Sequence, residues 1–171
     1  MRKVLMIIIL VCSNALNVLA QRWTFAREGV EYIIDLPSAS WRVMPRVDVH
    51  EHVEFVNGTD EVNGYLRLSK ILVEVDTTAA NLFQQDEKWN LQRLPGYVVC
   101  SDCKGEAFRG YLNGTTFSYE YTSRGRTMSG RVYYLRIDKR TFYALRFTVA
   151  QDKLQGIRDQ MDFIARSFRL K

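Results

Sequence analysis

Cys100-Ser101-Asp102-Cys103 is the stretch best equipped for chemistry. Two thiols at this spacing support three outcomes. In an oxidising compartment they close into a disulfide, which stabilises by about 2–3 kcal/mol at most in so short a loop. At a helix N-terminus they would form a redox dithiol, because the helix dipole lowers the thiol pKa. Here they follow the strand-like Tyr97-Val98-Val99, and no helical periodicity comes after Cys103. With His50 and His52, which fall on one side of a single strand, they would complete a tetrahedral zinc set. Nothing in the sequence brings the two pairs together. A disulfide, or plain structural thiols, fits the compartment and context best.

His50 and His52 are the only histidines, so any histidine acid–base chemistry must use them. Flanked by Glu51 and Glu54, they fit solvated side chains on the outer face of a strand. No serine stands in a nucleophile elbow, and no glycine-rich phosphate loop occurs. The sequence therefore predicts no catalytic residue and no cofactor.

A second candidate surface is basic and aromatic. Arg124, Arg126, Arg131, Arg136 and Arg140 lie close together, interleaved with Tyr121, Tyr133, Tyr134 and Tyr143. Such interleaving suits a nucleic-acid platform, but the N-terminus argues for export, and nucleic acid is not expected as a partner. Tyrosine and arginine are also enriched at protein interfaces. The expected partner face is therefore Arg124, Arg126, Arg131, Tyr134, Arg136 and Arg140, against the plainer reading of outward-facing strand residues. Residues 21–120 carry 10 basic and 15 acidic side chains, and residues 121–171 carry 12 and 4. Pairing of the two halves on folding accounts for this asymmetry, as does a basic surface for an anionic partner. Asn57-Gly58-Thr59 and Asn113-Gly114-Thr115 match the glycosylation acceptor pattern, but Asn-Gly is also a plain turn signal.

The N-terminus sets the compartment. Arg2 and Lys3 precede the apolar run Val4–Cys12, and Val18-Leu19-Ala20 places small residues for a cut before Gln21. Residues 1–20 are expected to be a cleaved signal peptide. The apolar run is shorter than the roughly 20 residues of a spanning helix, and Ser13, Asn14 and Asn17 interrupt its continuation. Val11 is too large for the position before a lipidated Cys12. The expected location is secreted or periplasmic, with no transmembrane segment after cleavage.

Residues 21–171 must then form the domain that positions these groups. The chain of 171 residues is 47% hydrophobic and 25% charged, which excludes disorder and a disulfide-packed miniprotein. Its net charge of +5 is far from a histone-like load. Val30, Tyr32, Ile34 and Leu36 alternate like a half-buried strand that ends at Pro37. Residues 48–56 alternate again, with Val49, Val53 and Phe55 opposite His50, His52 and Glu54. Tyr65–Val75 predicts a strand with a bulge near Ser69-Lys70, and Trp41 falls in a loop that tucks onto the sheet. Asp76 is the expected cap of a helix over 77–93 with Ala79, Leu82, Phe83 and Trp89 inward. Phe117, Tyr119 and Tyr121 share one strand face, as do Tyr133, Leu135 and Ile137, and Tyr143, Leu145, Phe147 and Val149. The last helix carries Leu154, Ile157, Met161, Ile164 and Phe168 as one stripe, with Asp152 at its start.

Leu36-Pro37 with Trp41 after it, the helix ending at Leu94-Pro95-Gly96, the hairpin over 131–149 and the closing Phe163-Ile164-Ala165-Arg166-Ser167-Phe168 together resemble the PsbP-like superfamily. The resemblance extends to its small secreted bacterial DcrB-like members and spans residues 22–170. It implies an α+β fold, an α/β/α sandwich around a central antiparallel sheet with the C-terminal helix packed on it. It also implies a non-catalytic accessory or adaptor role. No functional residue transfers with it. The expected function is binding of an envelope or secreted protein. The alternatives are a thiol-redox or zinc protein using Cys100 and Cys103, and a carrier of small apolar ligands between sheet and helix.

Overall fold

A computed structural model of the chain describes residues 22–44, 53–58, 64–99 and 105–171. The expected signal peptide, His50, His52, Cys100 and Cys103 lie outside the described residues.

The chain begins with β1 (Trp23–Phe25) and β2 (Tyr32–Leu36), joined through Gly29 at φ 77°. β3 (Trp41–Val43), β4 (Val53–Asn57) and β5 (Gly64–Leu72) follow, then helix α1 (Ala79–Trp89) and a 3₁₀ turn at Leu91–Arg93. The second half comprises β6 (Val98–Val99), β7 (Glu106–Arg109), β8 (Asn113–Ser123), β9 (Arg126–Arg136) and β10 (Thr141–Ala150). A 3₁₀ turn at Gln151–Lys153 leads into α2 (Leu154–Ser167), and β11 (Arg169–Leu170) closes the fold.

Among the described residues, every strand pairing is antiparallel. β3-β4-β5-β10-β9-β8-β6 form the central sheet in that order, with β7 also paired to β8. β1-β2-β11 form a small second sheet, in which β11 pairs with β2 and the Lys171 amide donates to the Glu31 carbonyl.

The central sheet is covered on both faces. On one, Leu66, Leu68, Tyr133, Leu135, Leu145 and Phe147 pack against Tyr32, Ile34 and Leu36 of β2 and Ile157, Met161 and Ile164 of α2. On the other, Phe117, Tyr119, Val132, Tyr134, Phe142 and Ala144 pack against Leu82 and Phe83 of α1 and Leu91. The architecture is the expected α+β sandwich, with the terminal helix on the sheet. Two-sided cover explains why β9 is buried continuously from Ser129 to Leu135 rather than alternately.

Local departures from expectation have local causes. α1 begins at Ala79 with Thr78 as its cap, whose hydroxyl accepts from the Asn81 amide at 3.2 Å. Asp76 is instead taken by Arg136, with Nη2 2.6 Å from Oδ1. α1 ends before Asn90, and Trp89 points outward, 57% exposed, rather than joining Leu82 and Phe83 inside. β5 keeps unbroken register with β10 from Gly64 opposite Val149 to Leu72 opposite Thr141, so there is no bulge at Ser69-Lys70. The alternation slips there because Lys70 stands on the α2 face at its rim, where Nζ reaches Glu31 at 2.6 Å. Trp41 opens edge strand β3 rather than lying in a loop, and its buried indole donates to Gln160 of α2 at 2.8 Å. Asp152 lies in the 3₁₀ turn and makes no side-chain cap for α2.

Candidate functional site

α1 covers only part of its sheet face. Phe83 stacks on Phe117 with centroids 4.3 Å apart, and Leu82, Tyr134, Phe142 and Ala144 fill in around them. The four central strands continue beyond this patch, and side chains of the same parity emerge from under the helix. Tyr65 and Arg67 come from β5, Arg146 and Thr148 from β10, Arg126 and Met128 from β9, and Tyr121 and Ser123 from β8. Arg124 stands at the β8–β9 turn. Together they line an open groove of about 850 Å³ that has four arginines and, among the described residues, no carboxylate in its lining. A second cleft of about 560 Å³ shares Arg126 and runs to Asp152 and Lys153.

Each arginine is held by a different local cause. Arg124 and Gly125 have φ of 50° and 74°, so both central residues of this two-residue hairpin are left-handed, as the twist of the flanking strands requires. The Arg124 and Arg126 side chains at this tip are exposed. Arg146 lies deeper. Its Nη2 pairs with the Asp86 carboxylate of α1, and its Nη1 donates to the Tyr119 hydroxyl at 3.4 Å. The Tyr134 hydroxyl donates to the same carboxylate at 3.5 Å. Burial alone would lower the Arg146 pKa, but the Tyr119, Asp86 and Tyr134 oxygens around it outweigh burial and raise it. Burial likewise raises the Tyr119 and Tyr121 hydroxyls, so both keep their protons.

The structure divides the expected partner face. Arg124 and Arg126 line the groove. Arg136 and Arg140 sit at the other end of β9 and in the loop after it, about 34 Å away for ten residues of strand. Arg131 and Tyr134 are buried at 7% and 1% exposure and present nothing to a partner. They also point to opposite faces. Arg131 faces α2 and ties four elements together. Its Nε donates to the Tyr133 hydroxyl at 2.7 Å and its Nη1 to Ser118 at 3.0 Å. Its Nη2 reaches Glu106 at 3.4 Å and Asp162 at 3.5 Å, and the Tyr133 hydroxyl donates to Asp162. Asn57 is buried, with its amide donating to Gln160 at 3.2 Å, whereas Asn113 is exposed.

Sequence reasoning missed Arg67 and Arg146. Arg146 left one signal: it is the sole charge in Phe142–Ala150, a strand otherwise apolar on both faces apart from Thr148. The space between sheet and α2, one of the two sheet–helix gaps of the fold, is filled by Ile157, Met161, Ile164 and Phe168. A shallow apolar cleft of about 340 Å³ lies elsewhere, beside Trp23, Phe25 and Trp41. Among the described residues no three His, Cys, Asp or Glu side chains are grouped to hold a metal, and no helix is long and apolar enough to cross a membrane.

No family model matches the sequence, and no curated protein matches it. Solved structures do match the fold. The Ran-binding protein Mog1p of Saccharomyces cerevisiae aligns with TM-score 0.66 at 9% identity, covering 88% of this chain and 96% of that one. Cyanobacterial PsbP (CyanoP) from Synechocystis sp. PCC 6803 aligns with TM-score 0.61 at 14% identity, covering 92% and 96%. LpqN, involved in cell envelope biogenesis of Mycobacterium tuberculosis, aligns with TM-score 0.57 at 17% identity, covering 88% and 92%. At such identities the likeness speaks for architecture alone. In architecture, then, this chain has the PsbP-like fold, with the arginine groove on the sheet face that α1 leaves open.

Proposed function

We propose that this chain is an exported, non-catalytic accessory domain that acts by binding another envelope or secreted protein. The observation that carries the reading is the groove beyond α1, with Arg124 and Arg126 exposed at its tip, Arg67 and Arg146 in its lining and, among the described residues, no carboxylate there. Arginine is favoured at protein interfaces because its planar fork pairs with carboxylates while remaining weakly hydrated. Two fold neighbours support the class of role through their own descriptions, one Ran-binding and one involved in cell envelope biogenesis. Export rests on the tripartite N-terminus, with cleavage before Gln21. In that compartment Cys100 and Cys103, which lie outside the described residues, are proposed to be joined or near one another and to serve local structure.

The test is photo-crosslinking in an envelope extract, with a crosslinking residue at Ser123 in the groove and, as control, at Lys139 at the far end of the sheet. A partner captured from position 123 and not from 139 supports the reading. Equal capture from both positions, or loss from neither in Arg124→Glu/Arg126→Glu, overturns the placement of the site. N-terminal sequencing of the exported protein that began at Met1 would overturn the cleavage.

A further inference from the structure

We infer that the open edge of β3 is a second docking site, which takes an extended segment of a partner polypeptide as an added strand. It borders the α2 face of the central sheet, opposite the arginine groove, and does not depend on what that groove binds.

The backbone defines the site. β3 ends the central sheet, and among the described residues its second edge has no partner strand. The Gly58 amide donates to the Ser40 carbonyl at 3.1 Å, which sets the phase of the β3–β4 ladder. Arg42 therefore turns its amide and carbonyl toward Val56 of β4, while Trp41 and Val43 turn theirs outward. The Trp41 amide is satisfied by the Ser38 carbonyl at 3.3 Å. The Trp41 carbonyl and both backbone groups of Val43 remain on the open edge, in line to pair with a further strand.

Side chains add selectivity. Trp23, Phe25, Leu36, Ala39, Trp41 and Val43 line an apolar cleft beside this edge. Its floor is fixed, because Phe25 meets Phe55 edge-on at 5.1 Å and Trp41 is held by Gln160 at 2.8 Å. Its rim is open, with Trp23 50%, Val43 37% and Met44 41% exposed. Edge strands are commonly shielded by charge. Here the one charge of β3, Arg42, donates to the Gly58 carbonyl at 2.6 Å. An antiparallel newcomer places one residue opposite Val43, exchanging two bonds with it and turning its side chain into the cleft. The residue two further on donates to the Trp41 carbonyl and points the same way. The recognition pattern is thus two apolar side chains separated by one residue.

Area selects a strand over a second copy. A standard interface takes about 800 Å² from each partner, and three partly exposed side chains beside a three-residue strand offer far less. A small apolar ligand needs a pocket that encloses most of its surface, and Trp23 stands half open to solvent.

The experiment uses the full mature chain and the fluorescein-labelled peptide Ser-Thr-Val-Thr-Leu-Thr-Ser, followed by anisotropy. Methylating its valine and leucine nitrogens, whose N–H groups face β3, should weaken binding at least tenfold. Methylating the nitrogens of its last two threonines, which face away, should change it by no more than about twofold. Val43→Pro removes the outward amide at a place where an edge strand tolerates proline, and should also cost at least tenfold. Trp23→Ala should weaken binding several-fold, and Arg124→Glu/Arg126→Glu should leave it unchanged. Equal binding of the two methylated peptides overturns the inference, as does no binding at about 1 mM peptide. So does a dimer in sedimentation that Val43→Pro dissociates, which would give the edge to a second copy. If Val43→Pro fails to fold, the methylated peptides decide on the unaltered chain. Loss of binding in the Arg124/Arg126 variant would move the peptide to the groove and overturn the edge as its site.

Discussion

Tyr119 lies across Gly130, the residue directly opposite it on β9, and its ring fills the space where any β-carbon would stand. A Cβ built on Gly130 would overlap the Tyr119 ring. The glycine is therefore required by cross-strand packing, an aromatic ring covering a bare stretch of sheet. The ring it admits carries the hydroxyl that Arg146 bonds at 3.4 Å, so the groove floor depends on the missing side chain.

Gly130→Ala should cost about 1–3 kcal/mol, the usual range for overfilling a packed site. Urea unfolding would measure it. The two positions touch, so the cost should fall in a Tyr119→Ala background, where the methyl has room. Additive losses would show that the ring and the glycine are not coupled.

Helix α2 and the far end of α1 should respond oppositely to truncation. Ile164 is fully buried, and Ile164→Ala should lower stability by about 2–5 kcal/mol. Trp89 is 57% exposed, and Trp89→Ala should change stability by no more than about 0.5 kcal/mol. Chemical denaturation of the two variants side by side checks both claims.

The arginines of the second half should split in the same way. Arg131→Met removes the donor to Tyr133, Ser118, Glu106 and Asp162 and should destabilise by about 2–3 kcal/mol. Arg124→Asn removes an exposed side chain from a turn that suits asparagine, so the unfolding midpoint should stay within error. A salt titration of partner binding should respond to Arg124 and not to Arg131.

Acid should loosen the joint between β2 and β11. Asp35 accepts both Arg169 guanidinium nitrogens at 3.1 Å and the Thr24 hydroxyl at 2.9 Å. Burial pushes its pKa up, but these bonds and the charges of Arg169 and Arg22 outweigh burial and hold it below the usual carboxylate range. The folded chain thus binds fewer protons here than the unfolded one. The stabilisation is complete above the ordinary carboxylate pKa of about 4 and is lost as pH falls through the lowered value. Asp35→Asn should therefore weaken the protein at pH 7, with the gap to the parent closing as the pH approaches 2. Unfolding midpoints across pH 2–7 would show it.

Some of this was legible in the order of residues. The stripe of α2 could be found because its helix has one wet and one dry face, and Ile157, Met161 and Ile164 are all buried. The strand faces of Phe117/Tyr119 and Tyr143/Leu145/Phe147 were likewise readable, since side-chain parity survives whatever lies above it. The start of α1 was not. Asp76 and Thr78 both have capping chemistry, and the choice between them depends on Arg136, sixty positions away. Arg131 was misjudged for the same reason, since its partners come from β7, β8, β9 and α2 and no local pattern announces a buried cation. The groove was half visible. Arg124 and Arg126 stood out in a basic run, but Tyr65, Arg67 and Arg146 join them only because β10 inserts between β5 and β9.

The pairing of β2 with β11 has a consequence for how the chain is made. Asp35 and Arg169 are 134 positions apart, and β2 has no partner on its second edge until Arg169 and Leu170 exist. Contacts of such separation form late and slowly. During synthesis β2 is an unfilled template, and the α2 layer that seals its side of the core is equally absent. A nascent chain with this wiring stays open while the ribosome works. Under the proposed export, a channel that accepts only unfolded polypeptide would meet a thread rather than a finished domain.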